Sequence, residues 1–189
     1  MSNLKLTVLV SGNGSNLHAL IDAEKRGDLA GCRIAAAVAD RPCHAIERAK
    51  TAGIPGYTLS KGNLSEQIMD IAGQNGTRLI VLAGFLSILT GKILEAYAGK
   101  IINLHPSLLP KFGGKGMYGT KVHQAVLAAG ETESGCTVHL VNAGIDCGPI
   151  LLQRRVPILP GDDPHTLAER IHQEEHIAIV EGTLMMRGL

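Results

Sequence analysis

Along the chain, short runs that are apolar on both faces alternate with longer segments in which apolar residues recur every three or four positions. The short runs have the length and β-branched content of buried strands, and the longer segments have the spacing of amphipathic helices. The predicted strands are 4–10, 34–39, 57–59, 78–83, 101–105, 136–141 and 150–156. The predicted helices begin near residue 17 and after Asp163, and also cover 45–52, 63–74 and 122–129. This alternation predicts an α/β fold, a Rossmann-like, open, mostly parallel twisted sheet of about seven strands with helices on both faces.

Length, composition and charge narrow the class of protein further. The 189 residues fit one domain, 1–189, and a net charge of +1 with 3% aromatic residues offers neither a basic surface nor stacking side chains for nucleic acid. The four cysteines form no Cys-x-x-Cys pair, which is typical of free thiols in a reducing compartment. The longest apolar stretch, 79–89, is shorter than the roughly 20 residues that span a bilayer. We therefore expect a cytoplasmic monomer or homodimer without nucleic-acid or membrane partners.

The first predicted strand runs into a glycine-rich turn, Ser11-Gly-Asn-Gly-Ser-Asn16, and a helix follows. Such a turn directs unpaired backbone N–H groups and the positive end of the helix at one spot, which suits an anion such as phosphate. The dinucleotide fingerprint needs a third glycine where this chain has Leu17, and the Gly-Lys-Ser/Thr of a P-loop is absent. A monophosphate is therefore the better prediction. The alternative is a βα turn that uses glycine only for its backbone angles.

The predicted strand 101–105 carries two polar side chains at its end, Asn103 and His105, and Pro106 stops it. Residues two apart in a strand point to the same face, so an amide lies beside an imidazole. Open α/β sheets bind ligands at the carboxyl ends of their strands, which makes this pair a candidate site. Taken alone, hydrogen bonding to local backbone groups is the commoner role for such residues.

Three loops have two interpretations each. The apolar loop 84–89 follows a strand, so it is either core or one wall of a ligand pocket. The glycine-dense segment 111–121 is either a lid or a plain flexible loop. Asp146 is a lone carboxylate among glycines, which is usually a turn former and needs support from elsewhere to count as functional.

The last predicted helix contains His172-Gln-Glu-Glu-His176, which matches the His-x-x-Glu-His pattern of some zinc proteases. Residues four apart share a helix face, so both histidines could reach one ion. The sequence offers no identifiable third ligand, because neither His139 nor His165 belongs to a metal-binding motif. A polar helix face is the better interpretation, and we expect no metal.

Four segments together resemble one family, and they are Ser11-Gly-Asn-Gly-Ser-Asn-Leu17, Val81-Leu-Ala-Gly-Phe85, Asn103-Leu-His-Pro-Ser-Leu-Leu-Pro110 and Asp146-Cys-Gly-Pro149. In this order and spacing they are similar to the phosphoribosylglycinamide formyltransferases, in the folate-dependent formyltransferase superfamily. The third and fourth segments are specific for the superfamily, and the first narrows the resemblance to this branch. The resemblance covers essentially the whole chain. It implies transfer of a formyl group from 10-formyltetrahydrofolate to the amine of 5-phosphoribosylglycinamide, a step of purine synthesis.

The resemblance implies three catalytic residues, Asn103, His105 and Asp146. Attack of an amine on a formyl carbonyl forms an oxyanion, which Asn103 and a protonated His105 would stabilise by donating hydrogen bonds. Asp146 would favour the imidazolium form of His105, which could then act as a general acid near neutral pH. A water held by Asp146 would carry the proton from the amine to the departing folate nitrogen. Neither a metal nor a covalent intermediate is needed.

The acceptor-binding residues also come from the resemblance. The phosphate of the acceptor would be held by Gly14, Ser15 and Asn16. Glu175 would bind the glycinamide amino end, and Pro106 would line the same cleft.

The folate would be held largely by backbone groups of two loops. The residues implied are Leu86, Ser87, Ile88, Leu89, Asn103, Val141, Gly144 and Asp146. Many relatives carry Arg where this chain has Ser87, and Lys61 would stand in for a second Arg that contacts the folate. The segment 113–121 is longer than in many relatives.

Two alternatives to this function belong to different classes. A formyltetrahydrofolate deformylase uses similar Asn, His and Asp residues to hydrolyse the same donor, but that family normally carries an additional N-terminal regulatory domain. A non-catalytic nucleotide-binding module is compatible with the glycine turn alone. The presence of all three catalytic residue types argues against such a module.

Overall fold

The computed structural model describes residues 4–59 and 62–188, and its centre is one seven-stranded sheet in the order β3-β2-β1-β4-β5-β6-β7. The strands are β1 (Lys5–Val10), β2 (Arg33–Ala39), β3 (Gly56–Thr58), β4 (Leu79–Leu82), β5 (Ile101–His105), β6 (Glu133–Leu140) and β7 (Ile150–Pro157). β1 to β5 pair in parallel, whereas β6 is antiparallel to both β5 and β7. The predicted open, mostly parallel sheet is therefore confirmed.

The described residues also form six α-helices, of which the first five connect strands and the last follows β7: α1 (Ser15–Arg26), α2 (His44–Thr51), α3 (Leu64–Gln74), α4 (Lys92–Ala96), α5 (Thr120–Ala128) and α6 (Pro164–Met185), which continues into a 3₁₀ turn over Met186–Gly188. The sequence analysis missed α4, because five residues are too few to establish a helical period. The start of α6 follows its capping signal, since the Asp163 side chain accepts hydrogen bonds from the backbone N–H groups of His165 and Thr166. In the described part of the chain, no helix has both the length and the apolar character needed to cross a membrane.

The hydrophobic core forms two clusters, and β1 contributes to both. Leu6, Val8 and Val10 pack in the larger cluster with residues of α1, α2, α5 and α6, whereas Leu9 packs in the smaller one with residues of α3 and α4. Successive side chains of a strand point to opposite faces, so the two clusters lie on opposite sides of the sheet. The predicted cover of helices on both faces is confirmed, and it explains why the central strands are apolar throughout.

The strand β6 begins three residues earlier than its apolar pattern indicated. Its first residues, Glu133-Ser-Gly135, are polar or small, but they pair with β7, and Glu133 forms a salt bridge with Arg155 across the two strands. Gly135 approaches the backbone so closely that a Cβ there would lie 1.9 Å from the carbonyl oxygen of Arg154. Antiparallel pairing at the edge of the sheet therefore extends the strand beyond the part that hydrophobicity reveals.

Candidate active site

The two polar residues of β5 face away from the larger core cluster. Ile102 and Leu104 pack in that cluster, so Asn103 and His105 project from the opposite face, as the two-residue spacing predicted. Because β6 runs antiparallel to β5, the loop after β6 starts level with Ile102 and must fold back to reach the end of β5. This loop thereby places a carboxylate next to Asn103 and His105.

Asp146 is the residue that this loop delivers. Its Oδ1 accepts a hydrogen bond of 3.4 Å from Asn103 Nδ2, and its Oδ2 lies 3.5 Å from Nδ1 of His105. Asp146 itself has a φ of 54°, a left-handed conformation that Asp and Asn tolerate better than most residues. The three side chains implied as catalytic therefore lie together at the end of β5.

His139 of β6 lies directly opposite Asn103 in the sheet and completes this group. Its Nδ1 is 2.9 Å from the carbonyl oxygen of Leu140, which can only accept, so Nδ1 carries the proton. Its Nε2 then accepts a hydrogen bond of 3.1 Å from Asn103 Nδ2. His139 thus fixes the orientation of the Asn103 amide.

The ring of His105 is almost completely buried, and its hydrogen bonds define its tautomer. Nε2 donates to the carbonyl oxygen of Phe112 at 2.8 Å, which leaves the lone pair of the uncharged ring on Nδ1, facing Asp146. Burial lowers the pKa of His105 below its ordinary value of 6.5, and this effect exceeds the opposing influence of the Asp146 charge. The charge of Asp146 thus favours the imidazolium form as expected, but in the unliganded protein the cost of burying the cation is larger.

The carboxylate of Asp146 is held ionised by its neighbours. Burial alone would raise its pKa, but the rings of His139 and His105, which attract the carboxylate when they are protonated, and the backbone N–H of Gly114 together lower the pKa below its ordinary value. The Gly114 N–H donates to Oδ2 at 2.9 Å. The glycine-rich segment thus supplies one partner to Asp146 and, through Phe112, one to His105.

The glycine turn after β1 is braced from α2. Gly14 has a φ of 78° and lies so close to α2 that a Cβ would be 2.5 Å from the Cβ of Ala45. Arg48 Nε donates to the carbonyl oxygen of Asn13 at 2.8 Å, which places a cation beside the turn. Ser15 and Asn16 begin α1, so the turn and the positive end of the helix coincide as predicted. This geometry is suited to a phosphate.

Glu175 of α6 is buried, with 4% of its surface exposed, and is tied to the same turn. Its Oε2 accepts hydrogen bonds from Asn16 Nδ2 at 3.2 Å and His172 Nδ1 at 2.7 Å. Burial alone would raise the pKa of Glu175, but the hydrogen bond and charge of His172, followed by the bond from Asn16, lower it. The resemblance placed both residues at the acceptor, but their direct hydrogen bond could not be predicted, because they are 159 positions apart in the chain.

The two histidines of the zinc-like motif have different surroundings. His172 is engaged by Glu175, and that hydrogen bond raises the pKa of His172. His176 has an Nε2 atom without a hydrogen-bond partner within residues 4–59 and 62–188. In the same part of the chain, no group of three or more His, Cys, Asp and Glu residues could hold a metal ion.

The loop after β4 combines exposed apolar side chains with internal hydrogen bonds. Leu86 and Ile88 are 47% and 59% exposed, whereas Leu89 is buried in the smaller core cluster. The Leu86 N–H donates to Ser11 Oγ at 2.8 Å, and Ser87 Oγ donates to Asp40 Oδ2 at 2.6 Å. The loop therefore presents one apolar wall next to the glycine turn.

Other residues expected near the substrates include two whose backbone donors are already used. The Val141 N–H donates to Ile101 at 2.9 Å, and the Gly144 N–H donates to Asn142 Oδ1 at 2.9 Å, so both donors are used within the protein. Pro106 is half-buried directly after His105. Lys61, the expected substitute for an Arg, lies outside the described residues.

The sequence analysis did not identify three groups that hydrogen-bond to the candidate catalytic residues. The carbonyl oxygen of Phe112 and the N–H of Gly114 are backbone groups, which no residue pattern identifies. His139 carried a signal, since it alternates with Thr137 in a predicted strand, but the register that places it opposite Asn103 is not readable from one sequence.

Comparison with known proteins agrees with this geometry. The family model described as "Formyl transferase" matches residues 4–183. The chain belongs to the formyl transferase family. The formyl transferase match includes every residue of the group at the end of β5 and also Glu175.

Relatives in the formyl transferase family carry specific names. The "Trifunctional purine biosynthetic protein adenosine-3" of Drosophila pseudoobscura pseudoobscura is 44% identical over 96% of this chain and 14% of its own length. The "Phosphoribosylglycinamide formyltransferase, chloroplastic" of Arabidopsis thaliana is 38% identical over 94% of this chain and 63% of its own length. The "Phosphoribosylglycinamide formyltransferase" of Haemophilus influenzae is 40% identical, with 91% of this chain and 82% of that protein covered. The chain thus spans less than two thirds of the first two relatives.

Solved structures of formyl transferases share the fold. Glycinamide ribonucleotide transformylase 1 from Symbiobacterium toebii superposes with a TM-score of 0.91 at 34% identity, covering 98% of this chain and 88% of that chain. A formyltetrahydrofolate deformylase from Pseudomonas syringae pv. tomato superposes with a TM-score of 0.85 at 24% identity, covering 96% of this chain and 60% of that chain. The second similarity is one of fold alone.

Proposed function

We propose that the protein is a phosphoribosylglycinamide formyltransferase, which transfers the formyl group of 10-formyltetrahydrofolate to the amine of 5-phosphoribosylglycinamide. The observation that carries this proposal is the close grouping of Asn103, His105 and Asp146 in a member of the formyl transferase family. The products are formylglycinamide ribonucleotide and tetrahydrofolate, in purine synthesis. No metal takes part in the chemistry that we propose.

The reaction begins when the uncharged amine of the acceptor attacks the formyl carbon and turns the carbonyl oxygen into an oxyanion. Asn103 Nδ2 is the donor to this oxygen, because its bond to Asp146 is long, at 3.4 Å, and is easily exchanged. A hydrogen bond that forms with the developing charge stabilises the transition state more than the ground state.

His105 and Asp146 move the proton. Since the lone pair of uncharged His105 is on Nδ1, that atom can take the proton that the attacking amine releases, directly or through a water held by Asp146. The Asp146 carboxylate stabilises the resulting imidazolium. The imidazolium then protonates the folate nitrogen as the bond between that nitrogen and the formyl carbon breaks, so His105 ends uncharged.

The acceptor lies across the end of the sheet in this proposal. Its phosphate meets the N–H groups of Gly14, Ser15 and Asn16, and Arg48 adds positive charge nearby. Pro106 lines the cleft beside His105. Glu175, which is hydrogen-bonded to Asn16, binds the acceptor toward its glycinamide end.

The folate binds against the apolar wall of Leu86 and Ile88, with Leu89 beneath it. Because the N–H groups of Leu86, Val141 and Gly144 are used within the protein, the pterin ring donates hydrogen bonds to carbonyl groups of these loops. Ser87 is bound to Asp40 and is not a cation, so the folate tail receives no Arg contact there. We retain Lys61 as a candidate for that contact.

We also propose a cytoplasmic location, with the protein acting as a monomer or homodimer on small molecules, without nucleic-acid or membrane partners. The four cysteines, Cys32, Cys43, Cys136 and Cys147, are free thiols, which is the state favoured in a reducing compartment.

The deciding assay measures tetrahydrofolate production from 10-formyltetrahydrofolate with and without 5-phosphoribosylglycinamide. We expect production only when the acceptor is present. Equal rates in both samples would identify a deformylase, the alternative that shares this fold. Absence of turnover in both samples would contradict the enzymatic proposal itself.

A further inference from the structure

A row of three side chains runs from the end of β5 to the edge of the sheet. His105 of β5 lies opposite Thr137 of β6, and Thr137 lies opposite Gln153 of β7. Side chains that lie opposite each other in neighbouring antiparallel strands project from the same face of the sheet. Thr137 and Gln153 therefore stand on the same face as the proposed catalytic histidine, although Gln153 belongs to the outermost strand.

The hydroxyl of Thr137 is fully engaged by the segment that follows β5. Thr137 is completely buried, and its Oγ1 donates to the carbonyl oxygen of Ser107 at 2.6 Å, because that oxygen can only accept. The lone pairs of Oγ1 accept hydrogen bonds from the Leu109 N–H at 3.1 Å and from Gln153 Nε2 at 3.0 Å. The Thr137 hydroxyl thus fixes the backbone of both Ser107 and Leu109.

Gln153 restrains the same segment a second time. Its Nε2 also donates to the carbonyl oxygen of Leu109 at 2.9 Å, so both hydrogens of the amide are used, one on Leu109 and one on Thr137. The amide nitrogen must face Leu109, because the amide oxygen of Gln153 could not pair with a carbonyl oxygen. Leu109 is therefore held at its N–H by Thr137 and at its carbonyl oxygen by Gln153.

Packing holds this segment less completely than these hydrogen bonds do. A cavity of about 260 Å³ is lined by residues 108–112 together with residues of β6 and β7, among them Gln153. Side chains that border a cavity lose part of the contacts that close packing would give. The hydrogen bonds from Thr137 and Gln153 therefore restrain the segment where packing does not.

The restrained segment leads to the group that defines the tautomer of His105. The buried Ser107 side chain donates to the carbonyl oxygen of Lys111 at 2.8 Å, and the next carbonyl oxygen, that of Phe112, accepts the Nε2–H of His105. Phe112 has a φ of 56°, a conformation that bulky residues adopt only when their surroundings impose it. Displacement of Leu109 would therefore reach the Phe112 carbonyl, three residues further along the chain.

We propose that Gln153 is a positioning residue for His105. By holding Leu109, it keeps the Phe112 carbonyl oxygen on Nε2 of His105. The lone pair of the ring then stays on Nδ1, where the proposed proton transfer needs it. This inference rests on the proposed function, since it gives a residue of the edge strand a part in the same chemistry. Gln153 acts through the segment after β5 and not by contact with the reacting atoms.

Loss of this restraint favours the other tautomer of His105. When the Phe112 carbonyl oxygen moves away, the ring proton is better placed on Nδ1, from which it can be donated to the Asp146 carboxylate 3.5 Å away. In that tautomer Nδ1 cannot take a proton from the attacking amine. Turnover therefore slows although every proposed catalytic side chain is present.

The alternative is that Gln153 only stabilises the edge of the sheet. Gln153→Met keeps the length of the side chain and removes both donors, and Gln153→Glu keeps its shape but only accepts when ionised. Arg155→Gln is the matched control, because Arg155 is two positions further along β7 on the same face and pairs with Glu133. A purely structural role predicts less stable Gln153 variants with no change at His105.

The first measurement is nitrogen NMR spectroscopy of the histidine rings in the isotope-labelled full chain, at a pH well above the pKa of His105. The chemical shifts of the two ring nitrogens report which of them carries the proton, and the signals of His105 are those absent from His105→Asn. We expect the wild type and Arg155→Gln to hold the proton on Nε2. Both Gln153 variants should show a population with the proton on Nδ1.

The second measurement is the transfer assay on the same proteins. We expect kcat to fall about tenfold in Gln153→Met and Gln153→Glu, with little change in KM for either substrate, because a catalytic group is misplaced while the binding groups are intact. Arg155→Gln should have the kcat of the wild type.

A wild-type proton position at His105 in both Gln153 variants would overturn the proposal, whatever the rates. So would a moved proton with an unchanged kcat, or the same proton movement in Arg155→Gln, which would indicate general loosening of β7. If the Gln153 variants move the proton but the wild type transfers no formyl group, the proposed function is rejected and the positioning of His105 by Gln153 still stands.

Discussion

The two halves of the candidate site differ in how completely the protein satisfies its own polar groups. At the end of β5, Asn103, His105 and His139 all hydrogen-bond within the protein, as does Asp146. On the helical side, Asn16 and His123 keep buried atoms without partners in the part of the chain that is described. The reacting half thus satisfies its polar groups within the protein, whereas the helical half keeps unused hydrogen-bonding capacity.

The difference follows from the elements that build each half. Strand ends and loops have backbone groups to spare, so the carbonyl oxygen of Phe112 and the N–H of Gly114 can fix His105 and Asp146. A helix uses its own backbone groups internally, and on the helical side Asn16 of α1 pairs with Glu175 of α6 while Asn16 Oδ1 keeps no partner in the described residues. Catalytic groups need fixed positions, and binding groups need unused capacity.

The largest expected effect on activity comes from a substitution of Asp146, in the half of the site at the end of β5. Asp146→Asn keeps the shape and tolerates the φ of 54°, but it removes the charge that stabilises the His105 imidazolium. We expect kcat to fall by about 10²–10⁴-fold with an unchanged circular dichroism spectrum. Asp163→Asn, at the start of α6, is the control and should retain activity. Turnover within a few-fold of the wild type would remove Asp146 from the mechanism.

A smaller loss of activity is expected when the hydrogen bond between Asn103 and His139 is removed. His139→Leu leaves the Asn103 amide without its acceptor, so the oxyanion donor is no longer oriented, and kcat should fall by about 10–100-fold. His139→Gln offers a new acceptor oxygen and should recover most of the rate. If the Leu and Gln variants are equally active, His139 does not act by orienting Asn103.

The glycine turn provides a test on the binding half. Gly14→Ala forces a non-glycine residue to a φ of 78° and brings its Cβ to 2.5 Å from that of Ala45, so we expect a loss of about 1–3 kcal/mol in the free energy of unfolding and weaker acceptor binding. Gly12→Ala has nothing within 4 Å of the new Cβ and serves as the control. Chemical denaturation and KM for the acceptor measure the two effects. Equal behaviour of the two variants would show that α2 does not brace the turn.

The smallest effect concerns the pH dependence of stability. Since burial lowers the pKa of His123 below 6.5, the unfolded chain binds a proton as the pH falls through 6.5 while the folded chain does not, so the free energy of unfolding declines. One such group contributes at most about 1.4 kcal/mol per pH unit. His123→Leu should therefore lose less stability than the wild type between pH 7 and pH 5, as measured by urea denaturation, with exposed His165→Leu as the control. Parallel curves for His123→Leu and the wild type would contradict the lowered pKa.

Much of the fold could be predicted because it depends on local pattern. The apolar runs of β1 and β4 and the glycine turn before α1 were correctly interpreted, since buried parallel strands and βα turns impose strong demands on nearby residues. The helix α4 and the first residues of β6 were missed, because a five-residue helix has no full period and edge pairing does not require hydrophobicity.

The sequence by itself determined that Asn103 and His105 share a face at the end of a strand, and that a glycine turn joins the first strand to the first helix. Only the tertiary structure decided that Asp146 and His139 meet that pair and that Asn16 and Glu175 are joined by a buried hydrogen bond. It also decided that burial outweighs the charge of Asp146, so that the pKa of His105 is lowered. The physical reason is that strand register, long-range side-chain contacts and burial depend on residues far apart in the chain, whereas side-chain alternation and turn conformation depend on immediate neighbours.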